Sequence, residues 1–465
     1  MTYAEFLASK RFAPPSSGIS ITADNIGPDL FDFQRHIVAW AVGRGRAALW
    51  ADTGLGKTRM QAEWLRQIGE RGLILAPLGV TAQTVREAAR IGITVAYCHD
   101  QAEADALPDT THVITNYERL DRFDAGRFRA VVLDESSVLK AYSGTTKRAL
   151  VAAFKSTPYR LACTATPAPN DLEELCNHAD FLGVMSPAEM RSTFFIADSR
   201  GEFMKYRIKG HAQSAFYEWL ATWAIACRTP ADLGLPSDGY DLPPLTITDH
   251  TVETGWTADG HLFTTELNGI TERAQVRRDT HAERVQAACD LVAAEPDERW
   301  LIWCGTNAEA DLVTATLRGM GAVNVQGSDD PDTKSARLLD FAEGRLPVLV
   351  TKPTIAGYGM NFQACARMVF VGLSDSYEQY YQSIRRCYRF GQRRPVDVHI
   401  VLADVERVIV NNVRAKEAQA SAITQGLVAA IAAENRRELF AGTSRGDDYE
   451  PSKTLTVPRF LRSAS

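Results

Sequence analysis

ADTGLGKT, residues 51–58, follows the apolar run Ala47–Ala51 and opens a stretch of helical periodicity. A strand, a glycine-rich turn and a helix in that order make a phosphate-binding loop. Gly54 and Gly56 let the backbone turn tightly enough for successive N–H groups to face phosphate oxygens. The helix N-terminus adds its positive partial charge. In such a loop Asp52, Thr53, Gly54, Leu55 and Gly56 wrap the phosphates of ATP, Lys57 neutralises the β- and γ-phosphates, and the Thr58 hydroxyl ligates magnesium. Ala51 stands where the general motif has its first glycine. A glycine-rich loop without a ligand is the plain alternative, and it leaves Gly-Lys-Thr at a strand–helix junction unexplained.

A second element must hold the metal. VVLDESS, residues 131–137, is an apolar strand that ends in two acids. Asp134 at a strand end can bind magnesium and Glu135 can polarise the attacking water. Alone, an acidic helix cap explains the pair equally well. Downstream of the phosphate loop, on another buried strand, it completes a catalytic set with Lys57.

Outward from these motifs, Ala47–Ala51, Gly72–Ala76, His112–Thr115, Ala130–Leu133 and Tyr159–Cys163 read as strands, with helices at Lys57–Arg66 and Val80–Arg90. After an irregular middle region the alternation resumes. Strands are expected at Trp300–Trp303, Ala322–Val325, Pro347–Val350, Met368–Val371 and Val396–Val401, separated by helices Ala308–Arg318, Thr333–Ala342 and Tyr377–Cys387. Strands alternating with helices give parallel α/β architecture. The expected organisation is an ATP-binding lobe over 1–184, a helical insertion and linker over 185–276, a second α/β lobe over 277–403, and a C-terminal helix and tail over 404–465.

The 465 residues are 45% hydrophobic and 23% charged, with a formal net charge of -6, so any basic nucleic-acid surface must be local. The eight cysteines include no C-x-x-C pair, which leaves reduced cytosolic thiols as the expectation. No signal peptide or membrane-spanning run is visible, and a cytoplasmic protein is expected.

Together these residues resemble helicase superfamily two. Phe33 and Gln34 look like the family's adenine-reading segment, LAPLGVTAQ (75–83) like motif Ia and ITNYERL (114–120) like motif Ib. TATPAPNDLEEL (164–175) looks like motif III, and its tail, with CRTPADLGLP (227–236), is similar to the Swi/Snf branch. TIAGYGMNFQ (354–363) resembles motif V and QSIRRCYRFGQ (382–392) motif VI. The resemblance implies two RecA-like lobes that hydrolyse ATP with magnesium between them and move on nucleic acid, most of all double-stranded DNA. It implies that Arg386 and Arg389 reach the γ-phosphate, that Gly357 and Gly359 lie at the nucleotide, and that Pro77, Leu78, Thr115, Asn116 and Asn361 lie on nucleic acid. The chain departs from the branch at Ser136-Ser137 and at Thr164-Ala165-Thr166, and lacks room for large accessory domains. That suits a minimal motor of the kind found in bacteriophages and mobile elements. No loading, replication or repair partner can be read from it.

The blander readings divide these residues. A charge run is usually a solvated face, so the functional reading within Arg385–Arg394 is kept for Arg386 and Arg389. Arg385, Arg393 and Arg394 are left between DNA backbone and water. Phe216, Tyr217, Trp219 and Trp223 have the spacing of a helix packed into a core, and Cys387 and Tyr388 are expected under the cleft. A strand-separating DNA or RNA helicase, and a nucleotide-gated binding module with little turnover, are the competing functions.

Overall fold

The computed structural model describes residues 17–141, 144–168, 171–198, 205–237, 240, 242–254, 270–356, 360–374 and 376–440. Its strands run in chain order as β1 Arg46–Ala51, β2 Gly72–Ala76, β3 Val95–Tyr97, β4 His112–Asn116, β5 Ala130–Asp134, β6 Tyr159–Cys163, β7 Phe195–Asp198, β8 Lys205–Ile208, β9 Ala224–Cys227, β10 Leu245–Val252, β11 Trp300–Cys304, β12 Ala322–Asn324, β13 Val348–Thr351, β14 Arg367–Val371 and β15 Val396–Ala403. Among the described residues, seven strands form one sheet in the order β3-β4-β2-β5-β6-β1-β9. Six form a second in the order β10-β15-β14-β11-β13-β12, and β7 and β8 make an antiparallel hairpin. Every pairing inside the two large sheets is parallel.

Side chains of a strand alternate between sheet faces, and a parallel sheet must cover both. Along β1, Ala48 and Trp50 enter one core while Ala47, Leu49 and Ala51 enter the other. Along β11, Leu301 and Trp303 face one core of the second lobe while Trp300, Ile302 and Cys304 face its opposite. Phe216, Trp219 and Trp223 are buried in the first lobe, as their spacing suggests. All eight cysteines are buried and free of disulfides. Among the described residues no helix is long and apolar enough to cross a membrane.

The middle region differs from the helical insertion expected over 185–276. β9 extends the first sheet beside β1, with Ala48 opposite Ala224. β10 pairs with β15 from Leu245↔Val396 to Val252↔Ala403, so the second sheet begins well before residue 277. LTITDHTV lies at the edge of that sheet, and Thr246, Thr248, Asp249 and Thr251 are exposed. The Pro244 carbonyl accepts the Val396 N–H at 2.9 Å, so the prolines lead directly into the ladder.

The C-terminal helix Arg407–Phe440 is not an appendage. Its 34 residues span about 50 Å at the α-helical rise. Val410 and Val413 lie in the second lobe's core, and Leu427, Val428 and Ile431 in the first lobe's. Asn435 seals the junction: its Oδ1 accepts from Ala226 N–H at 3.2 Å and its Nδ2 donates to Ala224 O at 3.0 Å. The expected tail from Gly442 lies outside the described residues.

His112, at the start of β4, is buried, and its Nδ1 accepts the Gly72 N–H at 3.2 Å. Burial, with Arg71 nearby, lowers its pKa to about 4. A depressed folded-state pKa means that its share of stability is intact above the unfolded value near 6.5 and is lost as pH falls towards 4. We predict that His112→Gln flattens the pH dependence of urea unfolding between pH 6.5 and 4 by up to one proton. An unchanged slope would show that His112 titrates normally.

Candidate nucleotide-binding cleft

The loop between β1 and the helix Lys57–Ile68 turns through two left-handed glycines, Gly54 at φ 93° and Gly56 at φ 78°. Space forbids side chains there as well. A Cβ on Gly56 would lie 2.2 Å from the Gln34 amide nitrogen, and one on Gly54 would lie 3.0 Å from the Phe390 backbone nitrogen. Lys57 stretches back along the loop, its Nζ donating to Ala51 O at 2.7 Å and Asp52 O at 3.3 Å.

Asp134 closes β5 and is buried, with Gln61 Nε2 donating to its Oδ1 at 2.6 Å. Burial, then the adjacent Glu135, raises its pKa to about 6, against the pull of Gln61 and Lys57. Among the described residues Glu135 alone, apart from glycines, has a positive φ, at 54°.

The second lobe supplies the facing wall. Arg386 is buried and braced by Gln382, through Nε to its carbonyl at 3.0 Å and Nη2 to its Oε1 at 2.8 Å, and by Met360 O at 3.2 Å. Arg389 is partly buried. Burial and the like charge of Arg386 bring its pKa down to about 10, with Glu87 opposing. One cleft is lined by Thr53, Gly54, Gly56, Lys57, Thr58, Asp134 and Glu135 from the first lobe and by Arg386 and Arg389 from the second. Val80 and Gln83 also line it. Both lie in the segment 75–83 likened to motif Ia, which pointed to nucleic acid and not to the cleft.

Other residues stand elsewhere than expected. Asp52 turns its carboxylate to the second lobe, accepting from Tyr381 Oη at 2.8 Å and Arg385 Nη2 at 3.3 Å. Burial alone would raise the Asp52 pKa, but Arg385, the Tyr381 hydroxyl, the Thr53 amide and Lys57 hold it below its ordinary value. Arg385 thus faces neither DNA backbone nor water: it lies over the rings of Tyr381 and Tyr388, 5.0 and 5.5 Å from their centroids. Arg394 pairs with Glu298, and Arg393 is exposed. Cys387 is buried and Tyr388 partly so.

Gln34 is buried beneath the loop rather than open to a base. Its amide donates to Leu55 O at 2.9 Å and accepts from Phe31 N–H at 3.0 Å. Phe33 packs at 5.2 Å against Tyr240 in the core. A cavity of about 450 Å³ beside Asp52, Thr53, Gly54 and Leu55 is instead walled by Arg228, Tyr240, Tyr388 and Phe390.

Leu78 is 60% exposed at the tip of β2, with Pro77 partly exposed beside it. Thr115 and Asn116 are buried, because both faces of β4 are covered, and Asn116 is held by Glu118 at 2.6 Å and Tyr97 at 3.3 Å. Asn361 is partly exposed and bonded to Gln363. Gly357 and Gly359 lie outside the described residues.

Residues 283–391 match the family model of the helicase conserved C-terminal domain. Dbp5 of S. cerevisiae, bound to RNA and ADP BeF3, matches with a TM-score of 0.55 and 12% identity over 88% of this chain and 99% of that one. The chain shares the two-lobed fold of that protein. Among curated proteins, putative protein p41 of Acyrthosiphon pisum secondary endosymbiont phage 1 is 23% identical over 83% of this chain and 96% of its own length. The bifunctional helicase and thymine dioxygenase JBP2 of Leishmania braziliensis is 30% identical, but over only 24% of this chain and 11% of that protein.

The Asp52–Arg385 pair bridges the two lobes of this fold, and both side chains are only 15% exposed. Removing one partner strands the other charge in a poorly solvated site. Asp52→Asn and Arg385→Ala are predicted to increase the radius of gyration of the nucleotide-free protein in small-angle X-ray scattering at physiological salt. Identical scattering from wild type and both variants would show that the pair does not hold the lobes together.

Proposed function

We propose that this protein is an ATP-hydrolysing motor that translocates on double-stranded DNA in the manner of the Swi/Snf branch. The observation that carries the proposal is one cleft with Lys57, Thr58, Asp134 and Glu135 on one wall and Arg386 and Arg389 on the other. Phosphoryl transfer needs positioning and charge stabilisation, and this set is of the right kind for both. Lys57 neutralises the phosphates. Glu135 orients the water and takes its proton. Arg386 and Arg389 stabilise charge on the γ-phosphate. The aromatic-walled cavity beside Asp52 has room for a base and ribose, with Tyr240 and Phe390 already stacked at 4.5 Å between ring centroids.

The Thr58 hydroxyl and the Asp134 carboxylate would hold magnesium. They are hard oxygen donors of the type that ion selects, and the buried Asp134 is short of a positive partner. When bound, the ion would neutralise charge that develops on the transferring phosphoryl group.

Nucleic acid is proposed to run across the carboxyl ends of both sheets. Pro77 and Leu78 lie at such an end in the first lobe, directly after β2, while Asn361 lies in the segment that leads into β14. A crevice at the ends of β11, β13 and β14 sets Thr354, the first residue of the motif V segment, beside Gly305, Lys352, Ser374 and Gln379, which lie outside the sequence motifs. The choice of double-stranded DNA rests on motifs V and VI and on the segment after motif III. The β7–β8 hairpin favours a second reading, a strand-separating helicase on DNA or RNA, because such an element can act as a pin.

ATPase assays with duplex DNA, single-stranded DNA and RNA test the reading, with duplex DNA expected to stimulate most. Displacement of a triplex strand without unwinding of a fork is predicted. Efficient fork unwinding would instead favour the hairpin reading. Glu135→Gln should retain ATP binding and lose roughly 10²–10⁴-fold in turnover, the usual worth of a general base. Turnover within a few fold of wild type would remove Glu135 from the chemistry.

A further inference from the structure

We propose that His178 is a positioning residue for hydrolysis: its hydrogen bond to Ser136 holds the strained turn that aims Glu135 into the cleft. The inference rests on the ATPase reading above and deepens it.

The left-handed region is unfavourable for a residue with a β-carbon, and such a conformation persists only where its surroundings fix it. Glu135, at φ 54°, needs that support. On its N-terminal side, Tyr117 Oη donates to the Asp134 carbonyl at 2.7 Å. On its C-terminal side, the Ser136 N–H donates to Cys163 O at 2.8 Å, which ties the turn to the end of β6. On that side the chain also begins a helical turn, in which Val138 and Leu139 N–H donate to the carbonyls of Glu135 and Ser136.

Side-chain restraints add to these: Thr164 Oγ1 donates to Glu135 Oε2 at 3.5 Å, and a shorter, fully buried contact holds the next residue. Ser136 Oγ lies 3.1 Å from His178 Nε2, with Ser136 0% and His178 1% exposed. With no bulk water at this depth, loss of either partner leaves a buried polar group unpaired. His178 sits on the helix Leu175–Leu182, and its ring lies 5.7 Å from that of Trp50 on β1, the strand that feeds the phosphate loop. One imidazole therefore touches both strand ends that build the first wall of the cleft. Ser136 stands at a departure of the chain from the Swi/Snf pattern, and the hydrogen bond gives that departure a role.

A purely structural His178 would affect stability and leave turnover per folded molecule intact. A positioning His178 makes a different prediction. In duplex-stimulated ATPase assays, His178→Leu and Ser136→Ala should each lower kcat by roughly 10–100-fold, the scale of a misplaced catalytic group. KM and the affinity for a non-hydrolysable ATP analogue should change less than about threefold, since Lys57 and the loop are untouched. The double variant should be no worse than either single one, because both remove the same contact. His178→Gln, whose amide can reach the place of Nε2, should restore most of kcat. A kcat within about twofold of wild type in Ser136→Ala, the variant least able to disturb folding, would overturn the proposal, as would multiplicative effects in the double variant. Amide hydrogen exchange of the nucleotide-free protein separates this proposal from the ATPase reading. Faster exchange at residues 136–139 in His178→Leu is expected whether or not the wild type hydrolyses ATP, and unchanged protection there would refute the role assigned to His178.

Discussion

The ion pair between Asp52 and Arg385 joins the turn proposed to hold phosphate to the helix end that carries Arg386 and Arg389. Arg385 directly precedes Arg386 in the chain, so the pair ties the segment bearing both arginines to the first lobe. With Tyr381 donating to the same carboxylate and Phe390 against Gly54, the second lobe is held where its arginines line the cleft of the first. Each lobe alone would present an incomplete site. Such a contact can bias an equilibrium between open and closed forms only by its difference between the two, and a bridge between lobes exists in one form alone.

The long C-terminal helix acts on the same geometry from further away. It is anchored in the second lobe through Val410 and Val413, in the first through Leu427, Val428 and Ile431, and fixed to β9 by Asn435. Arg44 and Glu438 pair near its end. A single helix packed into both cores limits the paths along which the lobes can separate, and Gly426 near its middle is the point of least helix propensity between the two anchorages.

Much of this was legible in the sequence because parallel strands covered on both faces read as short apolar runs. Gly72–Ala76 and Tyr159–Cys163 have the bounds expected of them. β3 was too short to register, and β9 lay hidden behind an aromatic helix. β10 followed prolines that read as loop. The candidate site divides in the same way. Lys57, Thr58, Asp134 and Glu135 announce themselves through local order, a glycine turn before a helix and two acids after a strand. Asp52 with Arg385, and Ser136 with His178, are partners brought together by folding, and no short-range spacing encodes them. Thr115 and Asn116, which motif Ib likened to nucleic-acid contacts, are buried in the covered sheet, and that burial is not legible in the motif.

The central claim is that nucleotide hydrolysis needs both walls of one cleft. The most direct test is single-turnover ATP hydrolysis by Arg389→Ala, with binding of a non-hydrolysable analogue measured on the same preparation. The account predicts a hydrolysis rate reduced by about 10³-fold or more, the scale of an arginine supplied to a transferring phosphoryl group. The analogue affinity should move only a few fold, because the first lobe alone holds the phosphates. A hydrolysis rate close to wild type in that variant would contradict it.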